Sequence, residues 1–194
     1  RVAIFDTGVA RTLADGRYAE LNRCARAAIE AANEQFGGHR LAQLQNTEPL
    51  SNVTFPSERS ERLAHHIVSE TRAVERAAAA WERGDARALG SLMIASHENA
   101  TSLLGISTPK VDRLVKFLRQ SPHVYGARMT GGGFGGSVVA LVDDAADPAG
   151  LLDRSGADHG AALLAGDVKG GDELHGAAFV DRYGDRSRPW DQVW

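Results

Sequence analysis

The sequence holds a single cysteine, Cys24, so no internal disulfide can form. No apolar run approaches the roughly 18 residues that a membrane span needs. Its 22 basic and 25 acidic residues nearly cancel, to a formal charge of -3, and nowhere do five like charges stand together, so nothing in the charge recruits nucleic acid or an anionic membrane. The partner expected is a small molecule. A P-loop of the form G-x-x-x-x-G-K-[ST] is missing, as is any His/Cys set with zinc-ligand spacing. His65 and His66 are adjacent and point in different directions on a helix, which argues against a shared metal. No methionine opens the chain, and no charged segment leads an apolar one, so the expectation is a start inside a strand with sequence removed upstream, in a protein of the reducing cytoplasm.

What is present suffices for one core. At 194 residues and 43% hydrophobic content, one domain is expected. Residues 1–6 carry β-branched and aromatic side chains and read as a strand, closed by the turn Asp6-Thr7-Gly8. An alanine-rich helix is predicted from Arg17 to about Gln35, with Leu21, Cys24, Ala28 and Ala32 on one stripe and Gly37-Gly38 beyond its end. Residues 37–57 read as a loop with a short helical turn near Leu41. A long helix follows between Ser57 and Arg83, its apolar stripe drawn through Leu63, Ile67, Val74, Ala78 and Trp81, with Gly84-Asp85 as the break.

A further helix is predicted over about 86–102. Ser107-Thr108-Pro109 then opens another, because a hydroxyl cap followed by proline starts helices, and Val111, Leu114, Val115 and Leu118 form its apolar side. Strands are expected at 123–129 and 137–142. Beyond Asp143 the periodicity weakens, leaving a helix near 148–154 and a strand near 177–180. The order of strand, helices, strand, strand indicates an α+β layer sandwich.

The densest signal is Thr130-Gly131-Gly132-Gly133-Phe134-Gly135-Gly136. It satisfies the dinucleotide pattern G-x-G-x-x-G, but that pattern requires a helix behind it, and Ser137–Val142 is strongly β in character. A tight hairpin turn would need fewer glycines. Five glycines in six positions let the backbone approach another backbone or a phosphate with no Cβ between, so the loop reads as ligand-proximal or interdomain, with a structural turn as the competing reading.

Four segments taken together resemble galactokinases of the GHMP kinase superfamily. They are Asp6–Ala14 with Tyr18; Ala64–Glu70 with Arg72 and Val74; Gly84-Asp85, Gly90–Met93 and Ser96-His97; and Tyr125–Thr130 running into the glycine loop. Their order and spacing agree from Val2 to Val142. Two departures stand out. Paired arginines that usually follow the tyrosine are replaced by Tyr18-Ala19-Glu20-Leu21-Asn22, and Glu98–Ser107 is closer to mevalonate kinase and other GHMP relatives. The sugar could accordingly be other than galactose.

The resemblance implies a GHMP kinase C-terminal domain over 1–194, with 143–194 unassigned, built as a ferredoxin-like, four-stranded antiparallel sheet with helices packed on it. It implies an ATP-dependent sugar 1-kinase that transfers the γ-phosphoryl group to a monosaccharide hydroxyl. ATP and Mg2+ would be held mainly by an N-terminal ATP- and sugar-binding half, which this chain lacks, along with every catalytic residue and metal ligand. Tyr18, Gly132 and Gly133 would meet the substrate, and Thr130, Gly131 and Arg128 would lie near the nucleotide. Competing readings are a tyrosine packed at a helix start and a solvated strand arginine. Asp6 and Arg11 suit a structural turn as well as a ligand, and His97, Glu70 and Arg72 read as structural. The functional alternatives are a non-catalytic, galactokinase-like sugar sensor acting through a protein partner, or a GHMP kinase for another small alcohol or sugar.

Overall fold

The computed structural model describes residues 1–9, 16–36 and 50–155, together with the backbone strands at 161–164 and 177–180. The chain divides into two compact units, Arg1–Arg11 with Ser107–Trp194, and Thr12–Ile106.

The first unit is built on a five-stranded sheet. Its strands are β1 (Val2–Asp6), β2 (Val124–Met129), β3 (Ser137–Val142), β4 (Ala161–Leu164) and β5 (Ala177–Val180), in the spatial order β2-β3-β1-β4-β5. Every neighbouring pair is antiparallel. Strand β1 lies in the middle, with Ala3 and Phe5 fully buried between half-buried Val2 and Ile4, the period of two that a strand imposes. It pairs with β3 from Val2↔Leu141 to Asp6↔Ser137. The first four strands thus have the split β-α-β order of the ferredoxin-like arrangement, with β3 inserted between β1 and β2.

The expected count of four strands is corrected to five. Strand β4 was not anticipated, since Ala161-Ala162-Leu163-Leu164 has neither a β-branched nor an aromatic residue and carries no strand signature of its own. Pairing with β1 on one side and β5 on the other supplies what local propensity does not. Helix α4 (Pro109–Gln120) packs on β2 and β3, and α5 (Pro148–Arg154) packs on β4. The Thr108 hydroxyl accepts from the Val111 amide and caps α4, whose buried residues are Val111, Leu114, Val115 and Leu118, the four expected.

The second unit is helical: α1 (Arg17–Phe36), a 3-10 turn at Leu50–Asn52, α2 (Glu58–Glu82) and α3 (Ala86–Asn99). Its core joins Ala28, Ala32, Leu50, Val53, Ala64 and Val68, with Phe36, Phe55 and Ile67 against them. The Ser57 side chain accepts from the Ser60 amide at 3.1 Å and starts α2 where expected. The stripe drawn along that helix needs correction. Val74 and Trp81 are 68% and 47% exposed, and the buried positions are Ser60, Leu63, Ala64, Val68 and Ala80. Gly84 turns the chain at φ 67 and Asp85 caps α3. The helix expected to reach residue 102 is α-helical only to Asn99; a π turn at Ala100–Leu104 follows and ends at left-handed Gly105. The helical turn expected near Leu41 and the glycine pair at 37–38 lie outside the described residues. Among the described residues, no helix is long and apolar enough to cross a membrane.

Candidate functional site

The glycine loop joins β2 to β3 in the sheet unit. Its hairpin is closed by the Thr130 amide, which donates to the Ser137 carbonyl at 3.0 Å. Between these residues the backbone is left-handed at Gly131 (φ 79), Gly133 (φ 84), Phe134 (φ 59), Gly135 (φ 128) and Gly136 (φ 82). A side chain is disfavoured at such angles, which explains Gly131, Gly133, Gly135 and Gly136. Phe134 is the exception. It is only 7% exposed, and burial of the ring offsets a left-handed backbone that costs about 1–2 kcal/mol.

The loop has a wet end and a dry end. Gly131 and Gly132 are exposed, whereas Gly133, Phe134 and Gly135 are buried. At the dry end the Gly136 amide donates to the Val9 carbonyl at 2.9 Å, and the Gly136 carbonyl accepts from the Thr7 amide at 3.1 Å and from the Thr7 hydroxyl. A Cβ on Gly135 would collide with the Val9 carbonyl oxygen and lie 2.8 Å from its Cγ1. The turn after β1 therefore forms the floor of the loop. Asp6 takes part only locally, its Oδ1 accepting from the Gly8 amide at 2.9 Å, which is the structural turn bond.

Five of the six residues singled out from sequence, Arg128, Thr130, Gly131, Gly132 and Gly133, fall in or next to this loop. Arg128 is half-buried, and its Nε donates to the Met129 carbonyl at 3.2 Å. Tyr18 belongs to the helical unit, in the first turn of α1, and is 43% exposed. Arg11 lies outside the described residues. In the same helical unit Glu70 Oε2 accepts from the Ser96 hydroxyl at 2.6 Å and ties α2 to α3, and His97 is buried.

Sequence reasoning missed Thr7, Val9 and Gly135 as members of the site. A threonine and a valine in a turn carry no local mark of a contact with a loop so distant in the chain. Gly135 was hidden among its neighbours, and only the register of β1 on β3 shows that it is the glycine facing Val9. Among the described residues no group of three or more His, Cys, Asp or Glu side chains could hold a metal ion.

Residues 76–158 match the family model described as GHMP kinases C terminal. The galactokinase of Homo sapiens is 38% identical over 147 residues, covering 76% of this chain and 36% of that protein. That of Exiguobacterium sibiricum is 35% identical over 143 residues, again 36% of its length. Among solved structures, the Lactococcus lactis galactokinase complexed with galactose superposes with a TM-score of 0.73 at 28% identity, over 80% of this chain and 40% of that one. The chain spans about a third of the length of the curated relatives it matches. In sequence and in fold the chain resembles the C-terminal part of a galactokinase, and residues 76–158 are similar to the C-terminal region of GHMP kinases.

Proposed function

We propose that this chain supplies the C-terminal part of an ATP-dependent sugar 1-kinase of the cytoplasm, with galactose as the first candidate acceptor. The observation that carries the reading is the likeness to galactokinases over three quarters of the chain at 33–38% identity, together with the fold of a galactokinase that holds galactose. The family match at 76–158 draws on both compact units, which supports treating 1–194 as one functional domain.

In-line transfer of a γ-phosphoryl group to an anomeric hydroxyl is catalysed mainly by positioning and by stabilising charge. Among the described residues no three acidic side chains stand together to hold magnesium. ATP fits better. Exposed Gly131 and Gly132, with no Cβ, can approach a phosphate or the backbone that cradles it, and Thr130 and Arg128 stand at the same end of β2. Gly132 and Gly133 would also close on the substrate, and Tyr18 would hydrogen-bond or stack on the sugar.

The test replaces the matching stretch of the human galactokinase with this chain and measures ATP turnover over a panel of hexoses. Galactose-dependent turnover by the chimera, with none by the 194-residue chain alone, is the expected result. A folded chimera that turns over another sugar, or none, defeats the assignment.

A further inference from the structure

The Thr7 hydroxyl, just past the end of β1, has a partner far away in the chain. Thr7 is 1% exposed, and its hydroxyl is directed at the carbonyl of Gly136, 129 positions away in the chain. Its amide donates to the same oxygen at 3.1 Å. The Val9 amide reaches back to Thr7 Oγ1 at 3.4 Å, and the Val9 carbonyl accepts from Gly136. Both main-chain polar groups of Gly136 are thus held by one turn, and Gly135 is pressed against Val9 with no room for a methyl group. A run of glycines has many backbone conformations open to it, and a loop that must present one of them needs its base fixed from outside.

We propose that Thr7 is the positioning residue of the glycine loop: its hydroxyl fixes Gly136, and through it the conformation in which exposed Gly131 and Gly132 meet the reacting phosphates. The structural half of this rests on hydrogen bonds alone. Its catalytic consequence rests on the kinase reading above. Misplacing a positioning element by an ångström lowers turnover by about a hundredfold. The signature of a lost Thr7 hydroxyl is therefore a fall in kcat that exceeds any rise in KM for the sugar.

Two measurements test it, and they fail separately. In the 194-residue chain, Thr7→Val removes the hydroxyl and keeps the shape, and Thr7→Ser keeps the hydroxyl. Residue-resolved amide exchange at Val9 and Gly136, with Val139 inside β3 as reference, should quicken about tenfold in Thr7→Val and stay within about threefold of the parent in Thr7→Ser. Thr7→Ala against Thr7→Ser differs by the hydroxyl alone and gives the same contrast if valine disturbs the packing. In the chimera, kcat should fall at least about tenfold in Thr7→Val, by more than the sugar KM rises, with rescue by serine. Equal exchange in the Val and Ser variants overturns the proposal, as does an unchanged kcat in an active chimera. A parent chimera without galactose turnover counts against the kinase reading instead, and the exchange pattern then decides the role of Thr7 by itself.

Discussion

Helices α2 and α4 have similar amphipathic logic and were not equally readable. In α4 the apolar residues are large and stand among Lys110, Asp112, Arg113, Lys116 and Arg119, and all four expected core positions are buried. In α2 the expected stripe holds at Leu63 and Ile67 but runs onto the outer face at Val74 and Trp81, while the buried side also uses Ser60, Ala64, Val68 and Ala80. Close packing of one helix on another can be made by small residues, because they let the backbones approach. A reading weighted toward size then leaves the buried face in the second half of the helix. Large apolar residues announce a core only where the contact is wide enough to need them.

The difference is sharpest in truncation variants. Leu118→Ala in α4, fully buried, should lower stability by about 2–5 kcal/mol, the range for emptying a buried leucine site. Trp81→Ala in α2 should stay within about 0.5 kcal/mol despite removing a larger side chain. Urea denaturation monitored by circular dichroism measures both. A loss at Trp81 as large as at Leu118 would break the comparison and show that the outer face of α2 is covered.

A second contrast sets two left-handed glycines against each other. Gly135→Ala meets the Val9 backbone and should destabilise by about 2–4 kcal/mol through strain and overpacking together, with a loss of turnover in the chimera of about a hundredfold. Gly84, between α2 and α3, has open space where a Cβ would stand. Its alanine variant should lose only the positive-φ cost of about 1 kcal/mol and leave kcat/KM unchanged. Similar turnover in the two variants would reduce the loop to a hairpin connection.

Most element positions were legible in the sequence, and the reasons are local. Ser57, Thr108 and Pro109 mark helix starts by capping chemistry, and the run from Ser137 to Val142 marks a strand by β-branching. The candidate site was half legible. A cluster of glycines advertises a left-handed backbone, but the turn it closes on, Thr7 to Val9, is fixed by the register of β1 on β3, a long-range property. Strand β4 was lost for the same reason: its partners make it a strand, not its residues.

Helix caps give a smaller effect on which the two units can also be compared. Removing the Ser57 hydroxyl leaves the Ser60 amide without its acceptor and takes away the 2.9 Å bond to the buried Ser60 hydroxyl. Thr108→Ala removes a single longer bond of 3.4 Å to Val111. Each should cost about 1 kcal/mol, with Ser57→Ala the larger, by the shift in urea midpoint. The reverse order would mean that the Ser60 hydroxyl finds another partner when Ser57 is gone.

The smallest effect concerns the far edge of the sheet unit. His123, with φ 67, precedes β2, and its Nδ1 lies 2.8 Å from Asp143 Oδ2, just after β3. The hydrogen bond from His123 holds the Asp143 carboxyl below the usual aspartate range. Desolvation opposes it, and the Ala145 amide, the charge of His123 and the Ala146 amide add to it. A carboxyl whose folded pKa is depressed stabilises the fold above its unfolded pKa, and that contribution is lost as the pH falls through the folded value. Both side chains are substantially exposed, so solvent screens the pair and the effect is slight. Asp143→Asn keeps an oxygen for the Ala145 amide and removes the titration. Melting temperatures recorded from neutral pH down through the acid range should converge for parent and variant at the lowest pH and separate, with the parent higher, near neutrality. Parallel curves across that range would show that the His123–Asp143 contact contributes nothing beyond the geometry of the turn.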